Sequence, residues 1–102
     1  MHFRYLALLI FSLTGMSLTV IDVRTKAEWN TGHLEGAFHI EWQDILELSS
    51  DIPKDEEIYL YCRSGNRSGK ATKILLDVGY INAKNAGSIS EASKLLNIKI
   101  ID

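Results

Sequence analysis

The sequence predicts an α/β fold, a single domain built on a small open parallel sheet flanked by helices on both faces. Three observations carry this. A chain of 102 residues has room for one compact core and no second domain. Short β-branched or aromatic runs alternate along it with stretches of helical periodicity, the element order of a parallel sheet with crossover helices. The segment Glu57-Ile58-Tyr59-Leu60-Tyr61 places large side chains on both faces, which suits the interior of a parallel sheet buried from both sides.

Thr19 to Val23 is β-branched and reads as the first strand, and Lys26 to Asn30 as a short helix broken by Thr31-Gly32. Ala37 to Ile40 is a second strand candidate. Trp42, Ile45, Leu46 and Ser49 recur at helical spacing before Pro53 opens a loop. After the strand at Glu57 to Tyr61, Arg67 to Val78 is the clearest helix. Its stripe is Ala71, Ile74, Leu75 and Val78, its outer face carries Lys70, Lys73 and Asp77, and Gly79 stops it. Tyr80 to Lys84 reads as a fourth strand. Ser88 and Glu91 stand at the spacing of a capping box that opens a helix through Leu96, and Ile98 to Ile101 is expected as an edge strand.

Residues 1–17 do not read as part of the fold. Arg4 precedes an apolar run from Tyr5 to Leu13, and the small residues Gly15 and Ser17 follow, the pattern of an export signal cleaved near Ser17. The domain is then expected over residues 18–102, in the periplasm or secreted. The run is shorter than the roughly 20 residues of a spanning helix, so no stable membrane insertion is expected after processing. A helix packed on the domain and an uncleaved anchor are the alternatives. Net charge is −2, which argues against general affinity for nucleic acid or anionic membrane, so any anion site must be local.

Cys62 is the single cysteine, so it has no internal disulfide partner and no C-x-x-C motif or thiolate zinc site to belong to. It ends the most buried strand and precedes Arg63-Ser64-Gly65-Asn66-Arg67, after which the amphipathic helix begins. A strand, a tight turn and a helix N-terminus bring backbone N–H groups and the positive end of the helix dipole to one point, and a thiolate there is stabilised. Between Cys62 and Lys73 lie Arg63, Arg67, Lys70 and no acid. These residues point to a small anionic substrate and a nucleophilic cysteine. A buried packing thiol is the plain alternative. A phosphate cradle lacks the Walker spacing.

The run Cys62-Arg63-Ser64-Gly65-Asn66-Arg67-Ser68 resembles the active-site loop of the rhodanese-like sulfurtransferases. Asp22-Val23-Arg24, Glu28-Trp29 and Gly32-His33-Leu34-Glu35-Gly36-Ala37 are similar to that family's first strand and the turn that follows it, and Val78-Gly79-Tyr80 and Asn85-Ala86-Gly87 to its later landmarks. A short chain with an export signal is similar to the family's small phage-shock type. The resemblance implies transfer of sulfane sulfur from thiosulfate, or a related small anionic donor, to cyanide or a thiol, with a thioredoxin-like protein as one acceptor and with no cofactor or metal. It implies that Cys62 carries the sulfur as a persulfide and that the N–H groups from Arg63 through Ser68, Ser64, Gly65 and Asn66 included, cradle the anion. Arg67 would hold the sulfonate end, Arg63 would guide the donor in, and Ser64 or Ser68 would either donate to the sulfur or cap the helix. Glu35 stands where the family often has proline, Ser88 replaces the second glycine of a Gly-Gly pair, and the strand and helix that usually precede Asp-Val-Arg are missing.

Other prominent residues read as structural. Arg24 and Glu28 stand at i, i+4 and are expected to pair. His33 and His39 are expected to be solvated, and Trp29, Trp42, Tyr59, Tyr61 and Tyr80 to belong to the core. Two rival functions come from other classes. A cysteine phosphatase or arsenate reductase would place arginine six residues after the cysteine, whereas here it is the fifth. A non-catalytic binding module of the same fold generally lacks the cysteine.

Overall fold

A computed structural model describes residues 17–102. The expected export signal at residues 1–17 lies outside the described residues except for Ser17. The chain forms, in order, β1 (Leu18–Asp22), α1 (Lys26–Asn30), β2 (His33–Leu34), β3 (Phe38–His39), a 3₁₀ turn (Trp42–Asp44), α2 (Ile45–Leu48), β4 (Glu57–Cys62), α3 (Asn66–Asp77), β5 (Ala83–Ser88), α4 (Ile89–Leu96) and β6 (Ile100–Ile101).

Four strands make one sheet in the order β3-β1-β4-β5, every neighbouring pair parallel. The expected fold class therefore holds, and β4 is internal as its two-sided apolar pattern requires. Ile58, Leu60 and Cys62 face one way and pack with Ile21, Val23, Ile45, Ala71 and Leu75, the side covered by α2 and α3. Tyr61 faces the other way with Val20, Leu34, Ala86 and Ala92, the side covered by α4. Burial of the valine, leucine and isoleucine side chains among these, each contributing about 1.5–3 kcal/mol in water-to-apolar transfer, holds the end of β4 between two layers.

Four expectations need correction. The fourth strand begins at Ala83, not Tyr80. The N–H of Tyr80 closes the end of α3 on Leu75 O at 3.0 Å, and its phenol is drawn inward to donate to Ser49 O at 2.6 Å. Asn85-Ala86-Gly87 then enters the sheet despite poor strand propensity, because pairing with β4 outweighs it. The C-terminal strand does not edge this sheet. Ile100–Ile101 pairs antiparallel with His33–Leu34 in a separate ribbon. The helix expected from Trp42 to Ser49 is split at Asp44, leaving Ile45 buried and Leu46 exposed. Val78, placed on the core stripe of α3 by periodicity, is the exposed C-cap instead.

A bulge between Leu60 and Tyr61 sets the register that matters for the site. Leu60 lies opposite Asn85, Tyr61 opposite Gly87 and Cys62 opposite Ser88. Asn85 and Cys62 thereby project to the same side of the sheet, next to the first turn of α3.

Candidate active site

Cys62 is the last residue of β4 and has no exposed surface. Its Cβ packs among apolar neighbours, while its sulfur faces the turn. The chain reverses through Arg63-Ser64-Gly65, with Gly65 at φ 97° as the N-cap of α3. Only a residue tolerant of the left-handed region turns here without strain, and the result is that main-chain donors point back at the strand end.

Three donors reach Sγ: the N–H of Gly65 at 3.0 Å, the N–H of Ser68 at 3.4 Å and the hydroxyl of Ser68 at 3.3 Å. Burial pushes the thiol up, but these hydrogen bonds, with a further contribution from the Ser64 N–H, outweigh it and bring the group from 9.0 down to about 7. The first turn of α3 carries no acid, so nothing there competes with a thiolate for the positive end of the helix. Of the loop residues expected to cradle an anion, Gly65 and Ser68 bring their donors to the sulfur. Arg63, Ser64 and Asn66 are exposed at its mouth, and the Asn66 N–H contacts Ser64 Oγ at 3.4 Å.

Arg67 sits at the rim but is not a free cation. Its Nη1 and Nη2 donate to the two oxygens of Glu28 at 2.7 and 3.0 Å. The guanidinium beside it holds the Glu28 carboxyl down from 4.5 to about 2, and Glu28 in turn raises Arg67. Glu28 is fixed from its own side as well, because it completes the capping box of α1 with Thr25. The expected Arg24–Glu28 pair does not form. Arg24 instead closes on Asp22 at 2.7 Å, both side chains buried, and gives another bond to Gly32 O at 2.6 Å. Asp22 is two residues away and shielded from water, whereas the half-buried Glu28 carboxylate is taken up by Arg67 and Thr25.

Two site residues escaped the sequence reading. Spacing alone pairs Glu28 with Arg24; the Thr25-x-x-Glu28 capping pattern holds its carboxylate at a helix start, and only the fold brings Arg67 to it. Asn85 was a landmark without a role, yet its side chain bonds both to the loop and to Ser68. His33 and His39 are half-buried rather than freely solvated. His33 stacks on Trp29 with ring centroids 3.5 Å apart, and His39 Nε2 lies 2.7 Å from Arg24 O. Tyr61 and Tyr80 are buried as expected, and Trp42 and Tyr59 pack at the margins of the two core layers.

Residues 12–94 match the family model of the rhodanese-like domain. The chain belongs to the rhodanese-like sulfurtransferase family. It is 33% identical over 86 residues to thiosulfate sulfurtransferase PspE of Escherichia coli strain K12, covering 81% of this chain and 83% of that protein. It is similar in structure to a rhodanese from E. coli solved with anions, at TM-score 0.70 and 30% identity over 74% of this chain and 91% of that one. A rhodanese-like domain of the Alr3790 protein from Anabaena sp. superposes at TM-score 0.74 over 84% of this chain and all (100%) of that domain, at 23% identity, a likeness of fold. Among the described residues no helix is long and apolar enough to cross a membrane.

Proposed function

We propose that this rhodanese-like domain is a thiosulfate sulfurtransferase working by double displacement through Cys62. The observation that carries the reading is the convergence of the Gly65 N–H, the Ser68 N–H and the Ser68 hydroxyl on Sγ at 3.0–3.4 Å, at the start of a 12-residue helix. Such donors are fixed before reaction and cost no reorganisation when charge arrives.

The Cys62 thiolate attacks the outer sulfur of thiosulfate. A new S–S bond forms, the bond between the two donor sulfurs breaks, and sulfite departs with the electron pair. The terminal sulfur of the persulfide keeps the negative charge that the loop is built to hold. Cyanide or an acceptor thiolate then attacks that terminal sulfur, and the Cys62 thiolate leaves and is regenerated. Cys62 has no exposed surface, so the donor enters by displacing the exposed side chains at the mouth, with Arg63 as the approaching cation and Arg67 as the clamp at the sulfonate end. Residues 1–17 are proposed as an export signal removed from the domain of residues 18–102, supported by the apolar run behind Arg4.

The test is intact-mass measurement after incubation with thiosulfate. Wild type gains one sulfur atom and Cys62→Ala gains none. A wild type that stays unchanged while cleaving an aryl phosphate overturns the reading in favour of a phosphatase. N-terminal sequencing of exported protein tests the cleavage.

A further inference from the structure

Ser68 Oγ stands between two acceptors, 2.7 Å from Asn85 Oδ1 and 3.3 Å from Cys62 Sγ. A hydroxyl has a single proton, so it satisfies one of them at a time. The orientation of the Asn85 amide is unambiguous, since Oδ1 accepts from the Gly87 N–H at 3.0 Å and Nδ2 donates to Gly65 O at 3.0 Å. Asn85 is therefore anchored at both ends of its amide, and its oxygen holds the Ser68 side chain in the rotamer that faces the sulfur. Without that hold, a serine in the first turn of a helix has a competing partner in the carbonyl one turn back, that of Ser64.

Resting on the sulfurtransferase reading above, we infer that Asn85 is a positioning residue that aims the Ser68 hydroxyl at the sulfur of Cys62. In the thiol form the hydroxyl donates to Asn85 Oδ1. When the thiol ionises, the hydroxyl turns its proton to Sγ, and Oδ1 keeps the Gly87 N–H. No atom moves by more than a rotation about the C–O bond of Ser68. The same hydroxyl serves the persulfide anion, and Asn85 never touches substrate.

The experiment follows the rate of Cys62 alkylation by iodoacetamide, a neutral reagent, against pH in four proteins: wild type, Ser68→Ala, Asn85→Ala and the double variant. Far-UV circular dichroism checks the fold, and Asn85→Ser replaces the alanine variant if that does not fold. Ser68→Ala raises the midpoint by about one pH unit and Asn85→Ala by about half of one, in line with the loss of a hydrogen bond to a charged group. In the Ser68→Ala background, the Asn85 substitution changes nothing further, because it acts through the missing hydroxyl. An equal shift in both backgrounds assigns Asn85 to holding the loop and overturns the inference. So does no shift, or a fall, which makes the amide a mere competitor for the proton. Sulfur uptake from thiosulfate is measured on the same samples. If wild type takes up none while the midpoints behave as stated, the transferase reading fails and the role of Asn85 stands.

Discussion

Arg67 and Glu28 meet in two parallel hydrogen bonds, guanidinium to carboxylate, that tie the first turn of α3 to the first turn of the short helix α1. The pair fixes the arginine at the rim of the cradle, where a flexible side chain would otherwise sample many positions, and it links the site to stability. The carboxyl of Glu28 titrates at about 2 in the folded chain against an ordinary 4.5. A depressed acid stabilises the fold above its unfolded value and loses that contribution as pH falls through the folded one. Glu28→Gln should therefore be less stable than wild type at pH 7, with the gap closing from about pH 4.5 down to pH 2. Urea midpoints at those pH values check it, and a gap independent of pH would exclude the ion pair as its cause. Both groups are about a quarter exposed, so the gap is modest.

Removing either arginine from the loop should hurt differently. Arg67 is held in place and Arg63 is exposed, so Arg67→Ala should lower kcat/KM for thiosulfate by about tenfold or more, the loss of a charged hydrogen bond. Arg63→Ala should lower it only a few-fold, with the difference vanishing at high salt as guidance by an exposed charge is screened. Steady-state kinetics at two ionic strengths decide it, and equal small effects would remove the clamp.

The thiol of Cys62 should alkylate with a midpoint near pH 7, about two units below the ordinary 9.0. A midpoint at the ordinary value would mean that the loop's donors do not reach the sulfur in solution.

Gly65→Ala should be costly to the fold and to the site. The position has φ 97°, and an added Cβ would lie 3.4 Å from Gly87 Cα, so the variant should lose about 1–2 kcal/mol of stability. The turn would relax away from the left-handed region, carrying its N–H off the sulfur and raising the alkylation midpoint. Chemical denaturation and the pH profile test the two halves separately.

Asp22→Ala should be among the most damaging changes away from the loop. It leaves Arg24, 5% exposed, as a buried cation held by the Gly32 carbonyl and the face of the Tyr61 ring with no counter-ion, at a cost of about 3–5 kcal/mol. A loss below about 1 kcal/mol, read from urea midpoints, would show that water reaches the guanidinium readily.

The sequence made the central strand and the loop legible because their signals are local. Alternating large side chains announce a strand buried on both faces, and Cys62 followed by glycine and a helical stripe announces an anion cradle. Ser88 and Glu91 likewise marked the start of α4 through a capping box that forms as read. What stayed hidden depends on distant partners. Nothing near Glu28 says that Arg67 will meet it from 39 positions away. The strand at Asn85 opposes its own propensity and exists because β4 offers an open edge. Tyr80 looked like a strand residue because it is aromatic, and became a turn residue because its hydroxyl found Ser49.

Cys62 is the sole cysteine of the 102 residues. Any titration of free thiol on the unfolded, purified chain is consequently a count of available centres. A reading below one mole per mole gives directly the fraction lost to oxidation, without a mutant for reference, whereas a sulfur-loaded centre still reacts through its outer sulfur and is told apart by its added mass.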